Sequence, residues 1–247
     1  MTRLPYDDPV LYDLRTAHLT DDLGLFVREA ARSGEPVLEL GCGTGRVALH
    51  LARKGFRVVG LELDPAMLAR ARDKARAAGL APALVRGDMT RFAFRRAFRT
   101  VCIAFASLHD LPALADWERA LRCAHAALAP GGRLVFDDHA PAGGGGSGKS
   151  GTFDLHDPAT RLAAAVRHTI VADPRTQTTR GEIAYRISRR DGTREERFYP
   201  FEGSWAEKSE VEAMLGAAGF REVEIQGDYT GTAWHPGCPQ TIFLARA

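Results

Sequence analysis

Glu39-Leu40-Gly41-Cys42-Gly43-Thr44-Gly45 is the stretch on which the fold of this chain turns. Pro36 to Leu40 reads as a short apolar strand, and a helix runs on from the glycines through Arg53. A glycine-rich turn between a first strand and its helix lets backbone amides come close to a ligand, and Gly41, Gly43 and Gly45 are placed for that. A dinucleotide-binding fingerprint would carry its third glycine at position 46, where this chain has Arg46. The spacing is therefore GxGxG and not GxGxxG, which argues against a nicotinamide cofactor and its pyrophosphate.

Working outward, apolar runs alternate with helical stretches, the pattern of a parallel sheet wrapped by helices. Phe56 to Leu61, Ala83 to Arg86, Arg99 to Phe105 and Arg133 to Asp137 read as the second to fifth strands. A helix is expected from Pro65, with Asp64 as its N-cap and Pro65 at its first position. Another runs from about Ala115 to Leu128. After residue 160, Leu162, Ala164, Val166, His168 and Ile170 alternate with exposed positions. Ile183, Tyr185 and Ile187 do the same beyond the turn-like Asp173-Pro174-Arg175, and Asp191-Gly192 signals a hairpin into a strand through Arg197 to Phe201. These make an antiparallel three-stranded meander inserted at residues 160–202. Ser209 with Glu212 reads as a capping box opening a helix that ends at Gly219. Arg221 to Gln226 and Thr241 to Arg246 are the last strands, joined without a helix and so expected to pair antiparallel. The core is expected over residues 20–140 and 205–247 as one domain. The glycine-rich stretch 141–151 is expected to be flexible, because consecutive glycines have the most backbone entropy to lose.

Two further acids follow the loop. Glu62 ends the second strand, where a carboxylate can accept both hydroxyls of a ribose, with Asp64 as its competitor. Asp88 closes the third strand in Arg86-Gly87-Asp88-Met89, where it can accept the exocyclic amine of adenine while the amide of Met89 donates to the ring. VLELGCGTGRVALHLARKG, VVGLELDPAMLARAR, VRGDM, CIAFASLHDL and LAPGGRLVFD, in that order from Val37 to Asp137, resemble the successive motifs of class I S-adenosylmethionine-dependent methyltransferases. The resemblance implies an α/β, Rossmann-like seven-stranded sheet of order 3-2-1-4-5-7-6. It also implies that Glu39 orders the loop and the methionine end, that Gly41, Cys42, Gly43 and Gly45 pass beside the methionine portion, that Glu62 holds ribose, that Asp88 and Met89 hold adenine, and that Leu63 packs on the ring. Phe105, at the end of the fourth strand, is counted with the cofactor contacts. The meander and the early Tyr12-Asp13 are similar to the small-molecule branch that includes amino-sugar N,N-dimethyltransferases and glycine N-methyltransferase.

The expected activity is methyl transfer from S-adenosyl-L-methionine to nitrogen or oxygen of a small molecule, leaving S-adenosyl-L-homocysteine. A donor that already carries an activated methyl asks mainly for alignment and exclusion of water. His109, just past the fourth strand, is the expected proton acceptor. Relatives carry histidine there or one residue later, where this chain has Asp110, so which of the two faces the substrate stays open. His139, after the fifth strand, and Tyr199 are the expected substrate contacts. Tyr12 can close over the donor or anchor its helix, and Tyr199 and Trp205 can line a pocket or simply fill a core.

The function classes that composition disfavours are few but clear. The formal net charge is +2 with Lys and Arg interleaved among Asp and Glu, so nothing supports a nucleic-acid partner. Four scattered cysteines without a CxxC pair read as free thiols, and no metal site is suggested. Met1 to Val10 lacks a signal-peptide core and no apolar run reaches a membrane span, so a cytoplasmic protein, monomer or homodimer, is expected.

Overall fold

The computed structural model describes residues 8–138, 149–157, 162–189 and 191–247. In chain order the first strands are β1 (Val37–Leu40), β2 (Val58–Glu62), β3 (Ala83–Arg86), β4 (Phe98–Ile103) and β5 (Leu128–Asp138). β6 (Lys149–Asp157), β7 (Leu162–Asp173), β8 (Thr178–Ser188) and β9 (Arg194–Ser204) follow, and β10 (Arg221–Gln226) and β11 (Thr241–Arg246) end the chain. The seven strands outside the β6–β9 block form one sheet of order β10-β11-β5-β4-β1-β2-β3. Its first five strands are parallel, whereas β11 pairs antiparallel with both β5 and β10. Read from the other edge, this is the expected order 3-2-1-4-5-7-6.

β1 is buried along its whole length because helices cover both sheet faces, and its alternation sorts its side chains between two cores. Leu38 and Leu40 join Trp117, Leu121 and Phe136 on one face, beneath helices α5 (Leu114–Ala127) and α6 (Lys208–Ala218). Val37 points to the other, with Leu25, Phe26, Val47, Leu51 and Leu68 from helices α2 (Leu23–Ser33), α3 (Arg46–Arg53) and α4 (Pro65–Ala77). Truncating one such leucine to alanine costs about 2–5 kcal/mol. Glu39 lies on the Val37 side, a carboxylate in the middle of a central strand.

Arg46 stands where a third glycine was missed, and it has a structural task. Its guanidinium makes a two-pronged pair with Asp22 at 2.6 Å on each prong and also reaches the carbonyl of Leu19, tying α3 to the start of α2. Asp64 caps α4 as expected, accepting from the N–H groups of Ala66 and Met67 at 2.7 and 2.9 Å. The box on α6 sits two residues earlier than expected. Glu207 is the cap and Glu210 its partner, while Glu212 pairs with Lys208 at 2.6 Å. Gly219, at φ 102°, ends that helix as its left-handed cap.

The inserted sheet has four strands, not three, in order β6-β7-β8-β9, and it spans residues 149–204 where 160–202 was expected. The additional strand, β6, begins inside the expected glycine loop. It pairs antiparallel with β7, and only Phe153 and Leu155 carry its apolar alternation, too short a pattern to be read beside a glycine run. Between β7 and β8 the turn closes as expected, with the Arg175 N–H donating to Asp173 at 2.8 Å. Between β8 and β9 Asp191 accepts from Thr193 at 2.9 Å and Gly192 takes φ 84°. One face of this sheet, with Ala164, Val166, Ile183, Tyr185, Ile187 and Tyr199, packs on Leu11 and Leu14 of helix α1 (Pro9–Thr16). Tyr199, expected as a substrate contact, lies buried on this face with its ring edge-on to Tyr185 at 5.7 Å. The opposite face carries cross-strand pairs such as Arg186–Glu196 and Arg180–Glu202, exposed and worth about 0.5 kcal/mol each at most in water.

Among the described residues no helix is long and apolar enough to cross a membrane.

Candidate active site

The carboxyl ends of β1 to β4 meet around the glycine turn, the place where open parallel sheets bind ligands. Gly41, Gly43 and Gly45 all have left-handed φ, at 72°, 53° and 83°. The turn is sewn to β2 because the N–H groups of Gly41 and Cys42 both donate to the Leu61 carbonyl, at 2.9 and 3.0 Å. A Cβ on Gly41 would stand 3.0 Å from the Met89 methyl and 3.2 Å from Ser107, so glycine keeps the floor of the cleft clear.

Tyr12, Gly41, Gly43, Glu62, Leu63, Asp88 and Met89 line the cleft together with Ser107, Asp110 and Leu111. Glu62 is held rigidly. One carboxylate oxygen accepts the Gly43 N–H and the other the Asp64 N–H, each at 2.8 Å, and burial pushes its pKa upward. The carboxylate also borders the cleft. Asp64 faces its own helix, whereas Glu62 lines the cleft. Asp88 accepts both the N–H and the hydroxyl of Thr90 on one oxygen, at 2.8 and 2.7 Å, and its other oxygen lies 3.1 Å from Arg91. Leu63 is about half exposed, an apolar side chain left open on the cleft wall.

Four of the expected contacts turn elsewhere, Glu39 beneath the turn among them. The Cys42 sulfur is buried beneath the turn, 2.8 Å from where a Cβ on Gly60 would stand, so glycine at 60 is what admits it. Gly45 serves as the cap of α3, facing Leu49 and Ala71. Phe105 has φ 58° and lays its ring against the Arg46 guanidinium at 5.7 Å rather than along the cleft.

His109 is also displaced from its expected place. Ser107–Asp110 is one 3₁₀ turn. With three residues per turn, positions 107 and 110 share a side and 109 points away from it. Ser107 and Asp110 accordingly line the cleft, while His109 directs Nε2 to Asp138 at 2.5 Å and packs its ring 5.3 Å from Trp117. His139 lies outside the described residues. Trp205 is buried, and its indole N–H has no partner among the described residues.

Sequence reasoning missed the device that sets Tyr12. Asp13 accepts from Thr44 of the glycine turn at 2.6 Å and from Lys74 and Arg70 of α4 at 2.7 Å each. This triple contact staples α1 over the turn and leaves the Tyr12 hydroxyl 3.9 Å from the Cβ position of Gly43. Burial pushes the Tyr12 phenol pKa well up, so it stays protonated and can donate.

Glu39 lies under the turn and not on its open side. One of its oxygens has no partner, and burial lifts its pKa from 4.5 to about 8, against the pull of Arg46 and the Ala48 N–H. A carboxyl that keeps its proton to about pH 8 when folded, but loses it near 4.5 when unfolded, contributes stability that is fully present below pH 4.5. That contribution is lost as pH rises to about 8. Glu39→Gln is therefore expected to flatten the fall of the thermal midpoint between pH 5 and 9, by a few kcal/mol of relative stability at the alkaline end. Melting curves of both proteins across that range check it, and parallel curves would count against the assignment.

Residues 37–132 match the methyltransferase domain family. Similar proteins include a dTDP-3-amino-3,6-dideoxy-alpha-D-glucopyranose N,N-dimethyltransferase of Streptomyces fradiae, 32% identical over 68% of this chain and 69% of that protein. A demethylmenaquinone methyltransferase of Thermus thermophilus is 39% identical over 52% of this chain, which spans only 56% of its length. Among solved structures, the CcbJ methyltransferase from Streptomyces caelestis superposes with a TM-score of 0.81 at 27% identity, covering 99% of this chain and 98% of that one.

Proposed function

This chain belongs to the S-adenosylmethionine-dependent methyltransferases, and on that premise we propose that its acceptor is the amine of a small molecule. The observation that carries the reading is Asp110. It places a carboxylate on the cleft wall with Ser107 and Tyr12. A carboxylate there attracts an ammonium, orients the amine, and takes up the proton that nitrogen must shed. The similarity to an enzyme whose name specifies amino-sugar N,N-dimethylation supports the same choice.

The donor supplies a methyl group already activated on a sulfonium, so the chain's own residues have to hold and align. Glu62 would accept the ribose hydroxyls, Asp88 and the Met89 N–H would take the adenine edge, and Leu63 would cover its face. Tyr12, fixed by Asp13, would close the methionine end and exclude water. His109 acts behind the wall by holding Asp138 and shaping the 3₁₀ turn that presents Asp110.

The test is a panel of amines, amino sugars, alcohols and carboxylates incubated with S-adenosylmethionine and analysed by mass spectrometry. Each methyl transferred should add the mass of one CH₂ to an amine. Asp110→Asn is expected to lower kcat by about 100-fold while S-adenosylhomocysteine binds as before. Methylation confined to alcohols, or an undiminished rate in Asp110→Asn, would overturn the reading.

A further inference from the structure

Arg15 has no place in the donor site, and its surroundings call for a partner that the described residues do not provide. Its guanidinium lies over the Tyr12 ring, 5.3 Å from the centroid, on the side facing the inserted sheet. There it comes within reach of the Tyr185 hydroxyl, and its charge adds to burial in holding the His168 imidazole below its usual pKa. Its Nε is shut off from solvent with no hydrogen-bond acceptor among the described residues. Among the described residues no carboxylate pairs with it. Asp8, on the same helix, is held by Arg197, and Asp13 is taken by Thr44, Arg70 and Lys74.

A guanidinium half withdrawn from water, with one N–H unanswered, is built for a planar or tetrahedral oxyanion that can accept two parallel hydrogen bonds. The neighbours suit such a guest. Tyr185 can donate its hydroxyl, and His168, stacked on Phe201 at 5.7 Å, can offer a ring N–H. The position is as informative as the chemistry. One tyrosine ring separates this spot from the donor cleft, since Tyr12 both lines the cleft and carries Arg15 on its face.

We propose that Arg15, Tyr185 and His168 form an anion subsite under the inserted sheet that holds a phosphate or carboxylate of the acceptor while its amine lies beside Asp110. The inference rests on the amine reading for the second half of that sentence only. The acceptor would then carry its amine and its anionic group at opposite ends, spaced by roughly the ~6 Å reach of a cation over an aromatic ring. The inserted sheet thereby acquires a task, to select acceptors by charge.

Anion binding can be measured without any methyl transfer. The full chain, saturated with S-adenosylhomocysteine so that the donor cleft is filled, is titrated with inorganic phosphate, pyrophosphate and acetate by calorimetry and by shift of the thermal midpoint. Binding of phosphate or pyrophosphate without acetate identifies a phosphorylated acceptor, and the reverse a carboxylate. In either case Arg15→Gln is expected to weaken binding about tenfold, roughly 1.4 kcal/mol, and Arg15→Lys to recover part of the loss. S-adenosylhomocysteine affinity should stay unchanged in all variants. If Arg15→Gln does not fold, Tyr185→Phe decides, with about a threefold loss expected from one missing donor. No binding of any of the three anions to the wild-type chain, or equal binding to the variants, would overturn the subsite. Failure of the amine panel with Arg15-dependent anion binding intact would instead sink only the choice of acceptor group.

Discussion

Glu62→Ala is expected to weaken S-adenosylhomocysteine binding by about 100-fold or more, the largest single loss of cofactor affinity in the molecule. Two hydrogen bonds from ribose hydroxyls to a carboxylate are worth about 1.5–3 kcal/mol each, because the acceptor is charged. The substitution also strips the Gly43 N–H and the Asp64 N–H of their acceptors, so the turn and the start of α4 lose the group that joins them. Glu62→Gln separates the two effects. Its amide can still accept one backbone N–H but must turn a donor toward either the turn or the ribose, so an intermediate loss of about tenfold is expected. Calorimetric titration of the three proteins measures the series, with ligand-free melting curves showing how much of the change belongs to the fold. Affinity within threefold of wild type in Glu62→Ala would mean that the ribose lies elsewhere.

That prediction could be framed from sequence because Glu62 ends a strand, and strand ends in a parallel sheet point to the ligand crevice. The seven-stranded order was legible through the resemblance carried by the motifs from Val37 to Asp137. What it does not supply is the direction of a side chain once the backbone leaves regular structure. Cys42 sits between two glycines that bend the chain, so its neighbours on the cleft say nothing of its sulfur, which Gly60 admits on the far side. Phe105 and Ala106 both take left-handed φ, at 58° and 50°, an outcome disfavoured for residues with a Cβ and therefore invisible to propensity. The turn after them is 3₁₀, and its period of three exchanges Asp110 for His109 on the wall. Reading the segment as a loop left both residues eligible. Strand β6 escaped for a different reason, since two apolar residues beside a glycine run cannot announce its pairing with β7. Arg15 and His168 lie 153 positions apart in sequence, and only the docking of α1 under the inserted sheet makes them neighbours.

Gly203→Ala should lower kcat on the best amine of the panel by about 100-fold while leaving S-adenosylhomocysteine affinity within about threefold, since a misplacement near 1 Å costs that much. The end of β9 is pressed against the 3₁₀ turn. A Cβ at position 203 would stand 1.9 Å from the His109 carbonyl oxygen and 3.0 Å from its carbon, so backbone has to move. The adjacent Ser204 donates to the Leu111 carbonyl at 2.7 Å and accepts from the Trp117 indole at 3.0 Å, which fixes the turn from its other end. Ser107, Asp110 and Leu111 therefore hold their positions on the cleft wall through the inserted sheet, although none belongs to it. Overpacking here costs about 1–3 kcal/mol of stability, so melting curves must show that the variant is folded at the assay temperature. Ser204→Ala provides the milder comparison. It leaves the Trp117 N–H and the Leu111 carbonyl without their partner but introduces no clash, and a loss of about fivefold in kcat is expected from a turn loosened by roughly 1 kcal/mol. A structural defect alone would lower the active fraction, and with it both kcat and the number of S-adenosylhomocysteine sites titrated. Displacement of Asp110 lowers kcat while the number of sites stays at one per chain. If Gly203→Ala keeps wild-type kcat, the inserted sheet does not hold the turn, and Asp110 is positioned from within the main sheet alone.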